Sequence, residues 1–286
     1  MLYRAHAKIN LVLDVAGTRP DGYHELETIM QTVTLCDLLE ITPASEIELH
    51  VTGAELPAGP GNLAYQAADL LRSRTGYPGG ARIKLLKRIP PAAGLAGGSA
   101  DAAAVLRGLN EVWDLGLPLD ELASLGAVLG SDVPFCLHGG TALARGRGEI
   151  ITPLPDLPPL GVVLVKPSFG VSTAEIYRRY DAMGGAFRAD CRGMLAALDR
   201  GDLGGVLACM GNALEPVTMS LFPEIGAIKN LLAAAGARGV LMSGSGPTVF
   251  GIFSNYAEAE RAAGVVGGDG ELWVAATVFC GRLTAR

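Results

Sequence analysis

The sequence predicts an α+β protein organised as two domains, and three observations carry that expectation. The chain has 286 residues, more than one domain usually holds, which suggests two units of about 130 to 150 residues. Stretches in which apolar residues alternate, as in strands, are interspersed with stretches patterned as helices. Finally, Ile151 to Leu160 contains Pro153, Pro155, Pro158 and Pro159, which block regular structure and place a boundary near residue 155. The expected division is an N-terminal domain over residues 1–155 and a C-terminal domain over 156–286.

From Ala7 to Val15 the residues Ala7, Ile9, Leu11, Leu13 and Val15 share one face of a strand, and Lys8, Asn10 and Asp14 share the other. Lys8 and Asn10 are thus neighbours. A strand is expected over Arg82 to Ile89, with Lys87 on the parity of Ile83, Leu85 and Ile89, ending at Pro90-Pro91. A Gly/Ala loop leads into a helix from about Ser99 to Trp113 with Asp101 in its first turn. Leu119 to Leu129 predicts another helix, closed by Gly130 and followed by Ser131-Asp132-Val133-Pro134 and a Gly-rich strand region. Past the boundary come a strand over Gly161 to Lys166, a helical region from about Ala174, helices over Cys191 to Met210 and Phe222 to Ala235, and strands flanking Ser243-Gly244-Ser245-Gly246.

Hydrophobic residues make up 49% and charged residues 18%, and no apolar run reaches the roughly 18 residues of a membrane-spanning helix. Met1 to Val15 carries Lys8 and Asp14 within its alternation, unlike a signal peptide. A cytoplasmic protein with no membrane partner is expected. The net charge of −6 argues against nucleic acid, which leaves a basic footprint; a polyanionic ligand would have to be held by backbone dipoles. Cys36, Cys136, Cys191, Cys209 and Cys280 lie far apart, with no pair or nearby His at zinc spacing. Reduced thiols and no protein-bound metal centre are the expectation.

The segment Pro90-Pro91-Ala92-Ala93-Gly94-Leu95-Ala96-Gly97-Gly98-Ser99-Ala100 joins a strand to an Ala-rich helix and is almost free of large side chains. Phosphates can approach such a backbone closely, and the unpaired N–H groups that open a helix form an anion site without net positive charge. Ser99 is available to cap the helix or to reach a nucleotide-bound magnesium ion. No Lys-Ser/Thr follows the glycines, so this is not a Walker A loop, nor is it the Gly-x-Gly-x-x-Gly of dinucleotide binders. On composition alone, a small-residue turn that packs helix on sheet is the alternative.

The pattern Pro-x-x-x-Gly-Leu-x-Gly-Gly-Ser-x-Asp-Ala resembles the ATP-phosphate loop of the galactokinase, homoserine kinase, mevalonate kinase and phosphomevalonate kinase (GHMP) superfamily. Ala92 and Ala93 stand where glycines are frequent, and Ala100 replaces the second serine of the usual pair. Gly130-Ser131-Asp132-Val133-Pro134 resembles the superfamily's catalytic segment and Ser243-Gly244-Ser245-Gly246-Pro247-Thr248 its C-terminal glycine motif. Ala7-Lys8-Ile9-Asn10-Leu11 and Arg19-Pro20-Asp21-Gly22-Tyr23-His24-Glu25-Leu26 resemble the signatures of the 4-diphosphocytidyl-2-C-methyl-D-erythritol kinases. Together the matches run from residue 5 to about residue 250.

The resemblance implies an N-terminal domain like ribosomal protein S5 domain 2, a ferredoxin-like C-terminal domain, and an active site in the cleft between them. It implies ATP with Mg2+ as donor and 4-diphosphocytidyl-2-C-methyl-D-erythritol as acceptor, in a monomer or weak homodimer. Asp132 would accept the proton of the substrate hydroxyl, with Lys8 orienting it and steadying charge. Read alone, Asp132 is equally an N-cap and Lys8 a solvated strand lysine. Residues 90–100 would hold the ATP phosphates, with Asn62 and Lys87 as further nucleotide contacts. Tyr23 and Tyr177 would sandwich the cytosine and His24 would read its edge, with Asn10 and Thr173 as further substrate contacts. The alternatives are a polar turn for Tyr23 and His24, and an amphipathic-helix position for Tyr177.

Overall fold

In the computed structural model, which describes residues 1–185, 187–268 and 270–282, two long strands organise the first sheet. β1 (Leu2–Thr18) runs antiparallel to β2 (His24–Ala44), and a tight turn joins them, with Tyr23 O accepting from Arg19 N–H at 2.7 Å. The register slips between His6 and Lys8, between Asn10 and Val12, and between Val15 and Gly17. Such bulges break strict alternation. The polar face expected for Lys8, Asn10 and Asp14 is consequently not a solvated face, for all three are buried.

The sheet continues with β3 (Glu48–Thr52) and, after α1 (Leu63–Thr75), β4 (Gly80–Leu86). Asn62 caps α1 by accepting from Ala64 N–H, and Gly76, left-handed at φ 68°, ends it. Next come α2 (Gly97–Val112), α3 (Leu119–Leu129), α4 (Val133–His138), β5 (Thr141–Gly146) and β6 (Ile150–Pro153). The strand order is β3-β4-β2-β1, with β5 on the early part of β2 and β6 beyond it. Leu39, Ile41, Ile83 and Leu85 of this sheet pack with Ala67, Leu71, Val105, Leu109 and Phe135 of the helices in one core.

The second sheet starts with β7 (Gly161–Lys166). The chain then forms α5 (Thr173–Ala182), α6 (Cys191–Asp199), α7 (Leu203–Ala208), β8 (Gly211–Asn212), α8 (Glu215–Leu221) and α9 (Glu224–Ala234). It finishes with β9 (Gly239–Met242), β10 (Val249–Phe253), α10 (Tyr256–Val266) and β11 (Trp273–Val278). The order is β11-β7-β10-β9, every pair antiparallel. Two mixed α and β halves result, joined by an apolar layer in which Ala7, Ile9, Leu11 and Val33 meet Val162, Leu164, Phe250 and Ile252. The short β8 crosses back to pair with β1, and Phe279 bridges to Val33.

Several local expectations need correction. The helix expected over Cys191 to Met210 is two, because Gly201 turns left-handed at φ 63° and Asp202 caps a new helix by accepting from Gly205 N–H. The strand expected to Ile89 stops at Leu86, since Asp37 takes up the N–H groups of Arg88 and Ile89 instead of a strand partner. The phosphate-loop helix opens at Gly97, so Ser99 does not cap it, and Asp101 lies beyond its first turn. All five cysteines are free. No helix among the described residues is long and apolar enough to cross a membrane.

Candidate active site

The segment 90–96 cannot follow a strand or helix path, because alternate residues take left-handed backbone: Ala92 at φ 49°, Gly94 at φ 73° and Ala96 at φ 56°. Alternating hands turn successive N–H groups toward one side and form a concave anion seat. Ala96 stands at the N-cap of α2 with no side-chain cap, so the opening N–H groups of Gly97, Gly98 and Ser99 stay available. An alanine held left-handed costs about 1 to 2 kcal/mol. Ala96→Gly is therefore expected to raise unfolding free energy by roughly 1 kcal/mol in a denaturant titration; a loss of stability would contradict the strain assigned to this position.

Not every loop residue faces the same way. Leu95 and Ala100 point into the two cores, while Pro90 to Gly94 and Ala96 to Ser99 line a cavity of about 1020 Å³. A Cβ on Gly94 would stand 2.5 Å from Ser243 O and 3.0 Å from Gly246 O. Glycine is needed there because the phosphate loop and the C-terminal glycine motif meet backbone to backbone, and Ser243 Oγ donates to Gly94 O at 2.9 Å. A Cβ on Gly97 would instead press on Ile89, 3.0 Å from its Cγ2. The packing reading of the loop therefore holds at Gly97.

Lys8 and Asp132 meet at the centre of this cavity's lining. Lys8 Nζ lies 3.5 Å from Asp132 Oδ2, the two side chains being 6% and 34% exposed. Lys8 also donates to Asn10 Oδ1 at 2.8 Å, Asn10 Nδ2 donates to Thr28 Oγ1 at 2.9 Å, and Thr28 donates to Val12 O at 2.7 Å. A buried amide and hydroxyl thus fix the ammonium, leaving the carboxylate as the partly open member. Asp132 occupies the N-cap position of α4 but makes no cap hydrogen bond, so capping does not explain it.

Asn62 and Lys87 also line the cavity, but each is engaged elsewhere. The Asn62 amide accepts from Ala64 N–H and donates to Pro57 O. Lys87 Nζ pairs with Asp37 Oδ2 and, at 2.6 Å, with Asp101 Oδ2, all three side chains being at most 3% exposed. Burial pushes the Asp101 carboxyl up, against the pull of the Lys87 charge, and its Oδ1 has no hydrogen-bond partner among the described residues.

The cavity is also lined by Tyr23, His24, Arg147, Thr173, Tyr177, Arg178 and Asp181. His24 stacks on Tyr177 with centroids 4.5 Å apart and planes at 26°, and its Nε2 lies 2.8 Å from Asp181 Oδ1. Tyr177 is half-buried beside the Leu13, Ile176 and Val217 cluster; burial, followed by the charge of Asp132, pushes its phenol up. Tyr23 is exposed, with the Arg147 guanidinium 5.1 Å from its ring centroid. The ring contacts therefore pair Tyr177 with His24 and Tyr23 with Arg147. Thr173 Oγ1 is 2.9 Å from Ser245 Oγ, which ties α5 to the glycine motif. Arg147, Arg178 and Asp181 were not expected from the sequence, where isolated charges in a turn and on a helix carry no signal.

The cavity therefore brings together an anion seat, a lysine-aligned carboxylate and a group of aromatic side chains. Residues 62–140 match the family model described as GHMP kinases N terminal domain, and residues 194–270 match GHMP kinases C terminal. The chain is 56% identical over 261 residues to the 4-diphosphocytidyl-2-C-methyl-D-erythritol kinase of Pelotomaculum thermopropionicum, covering 91% of each chain. It is 55% identical over 263 residues to that of Moorella thermoacetica, covering 91% of this chain and 92% of the relative. A solved 4-(cytidine 5'-diphospho)-2C-methyl-D-erythritol kinase superimposes with a TM-score of 0.83 at 41% identity, over 98% of this chain and 100% of the other. With the site motifs in their family order and near-complete coverage at this identity, the chain belongs to the 4-diphosphocytidyl-2-C-methyl-D-erythritol kinase family of the GHMP kinases.

Proposed function

We propose that this protein transfers the γ-phosphate of ATP to the 2-hydroxyl of 4-diphosphocytidyl-2-C-methyl-D-erythritol, in the non-mevalonate route to isopentenyl diphosphate. The observation that carries this is the Lys8–Asp132 pair lining the same cavity as an uncapped helix N-terminus and a cluster of aromatic side chains. Asp132 takes the proton of the attacking hydroxyl, and Lys8, held by Asn10 and Thr28, keeps the carboxylate aligned and ionised. Phosphoryl transfer depends chiefly on positioning and charge stabilisation. The backbone N–H groups of residues 92–99 hold the triphosphate without a net positive charge.

Mg2+ bound with the nucleotide would supply neutralisation of the phosphate charge. Ser99, on the first turn of α2 in the cavity, is the hydroxyl suited to reach it, since Mg2+ commonly takes few protein oxygens and keeps phosphates and water as its other ligands. Lys87 and Asn62 support the nucleotide half from below, because their polar groups are already engaged.

The proposed domain boundary lies near residue 155, between β6 and β7. The order β11-β7-β10-β9 supports a ferredoxin-like C-terminal domain, and the N-terminal domain is read as S5-like with the site in the cleft between the two. A cytoplasmic monomer or weak dimer without nucleic-acid partners completes the proposal, in keeping with the acidic balance and free cysteines.

The aromatic cluster distinguishes this substrate from smaller alcohols. Tyr23→Ala and Tyr177→Ala are expected to raise KM for the cytidylyl substrate by about 5-fold to 150-fold, the worth of a base stacked on a ring, with KM for ATP nearly unchanged. Phenylalanine at either position should be tolerated. Steady-state kinetics in both substrates decide the matter: a rise confined to KM for ATP would place adenine at these rings and reverse the two ligands.

A further inference from the structure

Asp181 belongs to none of the motifs above, yet among the described residues it makes the only side-chain hydrogen bond to His24. It lies on α5 one turn after Tyr177, so the two residues share a helix face. From there its Oδ1 meets His24 Nε2 at 2.8 Å, while the imidazole lies flat against Tyr177. The His24 side chain is 11% exposed and that of Asp181 49%. His24 Nδ1 has no hydrogen-bond partner among the described residues, and both side chains line the cavity.

We infer that Asp181 is a specificity-determining positioning residue, which fixes the tautomer of His24 so that the cavity accepts a cytosine and rejects a uracil. A carboxylate accepts hydrogen bonds only, so the nitrogen that faces it must carry the proton. In the neutral imidazole the other nitrogen then bears a lone pair and no hydrogen. Nδ1 is thus an acceptor for a ligand. Cytosine offers the matching N4 amino donor at its edge, whereas uracil offers an O4 acceptor at the same place. Two facing acceptors leave both groups unpaired, which is costly at an imidazole only 11% exposed. Without Asp181 the ring is free to protonate at either nitrogen and can serve both bases. The stack on Tyr177 sets the plane of the ring, and Asp181 sets its polarity.

This inference rests on the cytidylyl reading of the site, and the test separates the two. The wild type, Asp181→Ala, Asp181→Glu, His24→Ala and the double Asp181→Ala/His24→Ala variant are assayed with the 4-diphosphocytidyl substrate and with its uridine counterpart. The assays are run at pH 8.5, well above the ordinary imidazole pKa of about 6.5. The wild type is expected to prefer cytidine at least about 100-fold in kcat/KM. Asp181→Ala is expected to reduce that preference about 10-fold through KM for the base-bearing substrate, with kcat and KM for ATP within about 2-fold. Glutamate should restore most of the preference. In the His24→Ala background, removing Asp181 should change nothing further, because it acts through that ring. Undiminished discrimination in Asp181→Ala, or an equal loss in kcat and in both Michaelis constants, would overturn the role of Asp181 while leaving the activity standing. A wild type with no turnover of the cytidylyl substrate would overturn the activity, and this inference with it.

Discussion

Asp132→Asn is expected to lower kcat at least about 100-fold while KM for ATP stays within a few-fold, since positioned general bases contribute about 100-fold to 10,000-fold. The substitution preserves shape and removes proton affinity. Asp132 is one-third exposed in the cavity, lies 3.5 Å from a buried ammonium and makes no helix-cap bond. The amide leaves the buried Lys8 ammonium without its carboxylate, so the variant should unfold at a somewhat lower denaturant midpoint and kcat is compared where both proteins are folded. Turnover near that of the wild type would remove Asp132 from proton transfer and leave alignment by Lys8 and the phosphate seat as the whole of catalysis.

The second large effect falls on stability. Lys87→Met is expected to cost about 3 to 5 kcal/mol of folding free energy, the usual consequence of removing one partner from a buried ion pair. Asp37 and Asp101 would face one another without a cation, both almost fully buried. Asp37 Oδ1 also holds the N–H groups of Arg88 and Ile89 at 2.5 and 2.8 Å, so the entry to the phosphate loop would loosen with it. Replacing Asp101 by Asn in the Lys87→Met background should recover part of the loss, because one carboxylate fewer then needs a partner. Unchanged stability with a tenfold rise in KM for ATP would instead make Lys87 a direct phosphate contact.

Much of this site was legible in the sequence because it is made of short segments whose chemistry is local. The phosphate loop could be read from its small residues and the helix after them, and Lys8 and Asn10 from the period of β1. The burial of Lys8 could not, since its surroundings come from distant segments: its N–H donates to Leu95 O at 3.2 Å and its Nζ lies 3.5 Å from Asp132 Oδ2. The same holds for Lys87, whose two acidic partners stand 50 residues before it and 14 after it. In the aromatic cluster, motif matching named Tyr23, His24 and Tyr177, but the pairs that form are set by where α5 docks against the β1–β2 turn. That docking is a long-range contact through which Asp181 enters the site, whereas Arg147 comes from the β5–β6 turn, placed beside Tyr23 by the pairing of β5 with β2. Gly97 carries a second constraint that its sequence context does not show: a Cβ there would press on Ile89, 3.0 Å from its Cγ2.

Coupled ADP release measured with 4-diphosphocytidyl-2-C-methyl-D-erythritol, against homoserine, mevalonate and galactose as competing acceptors, tests the central claim most directly. Magnesium-dependent turnover of the cytidylyl substrate, with kcat/KM at least about 1,000-fold above the other three, is the result expected of a site that reads a base through hydrogen bonds as well as shape. Turnover confined to homoserine, mevalonate or galactose would contradict it.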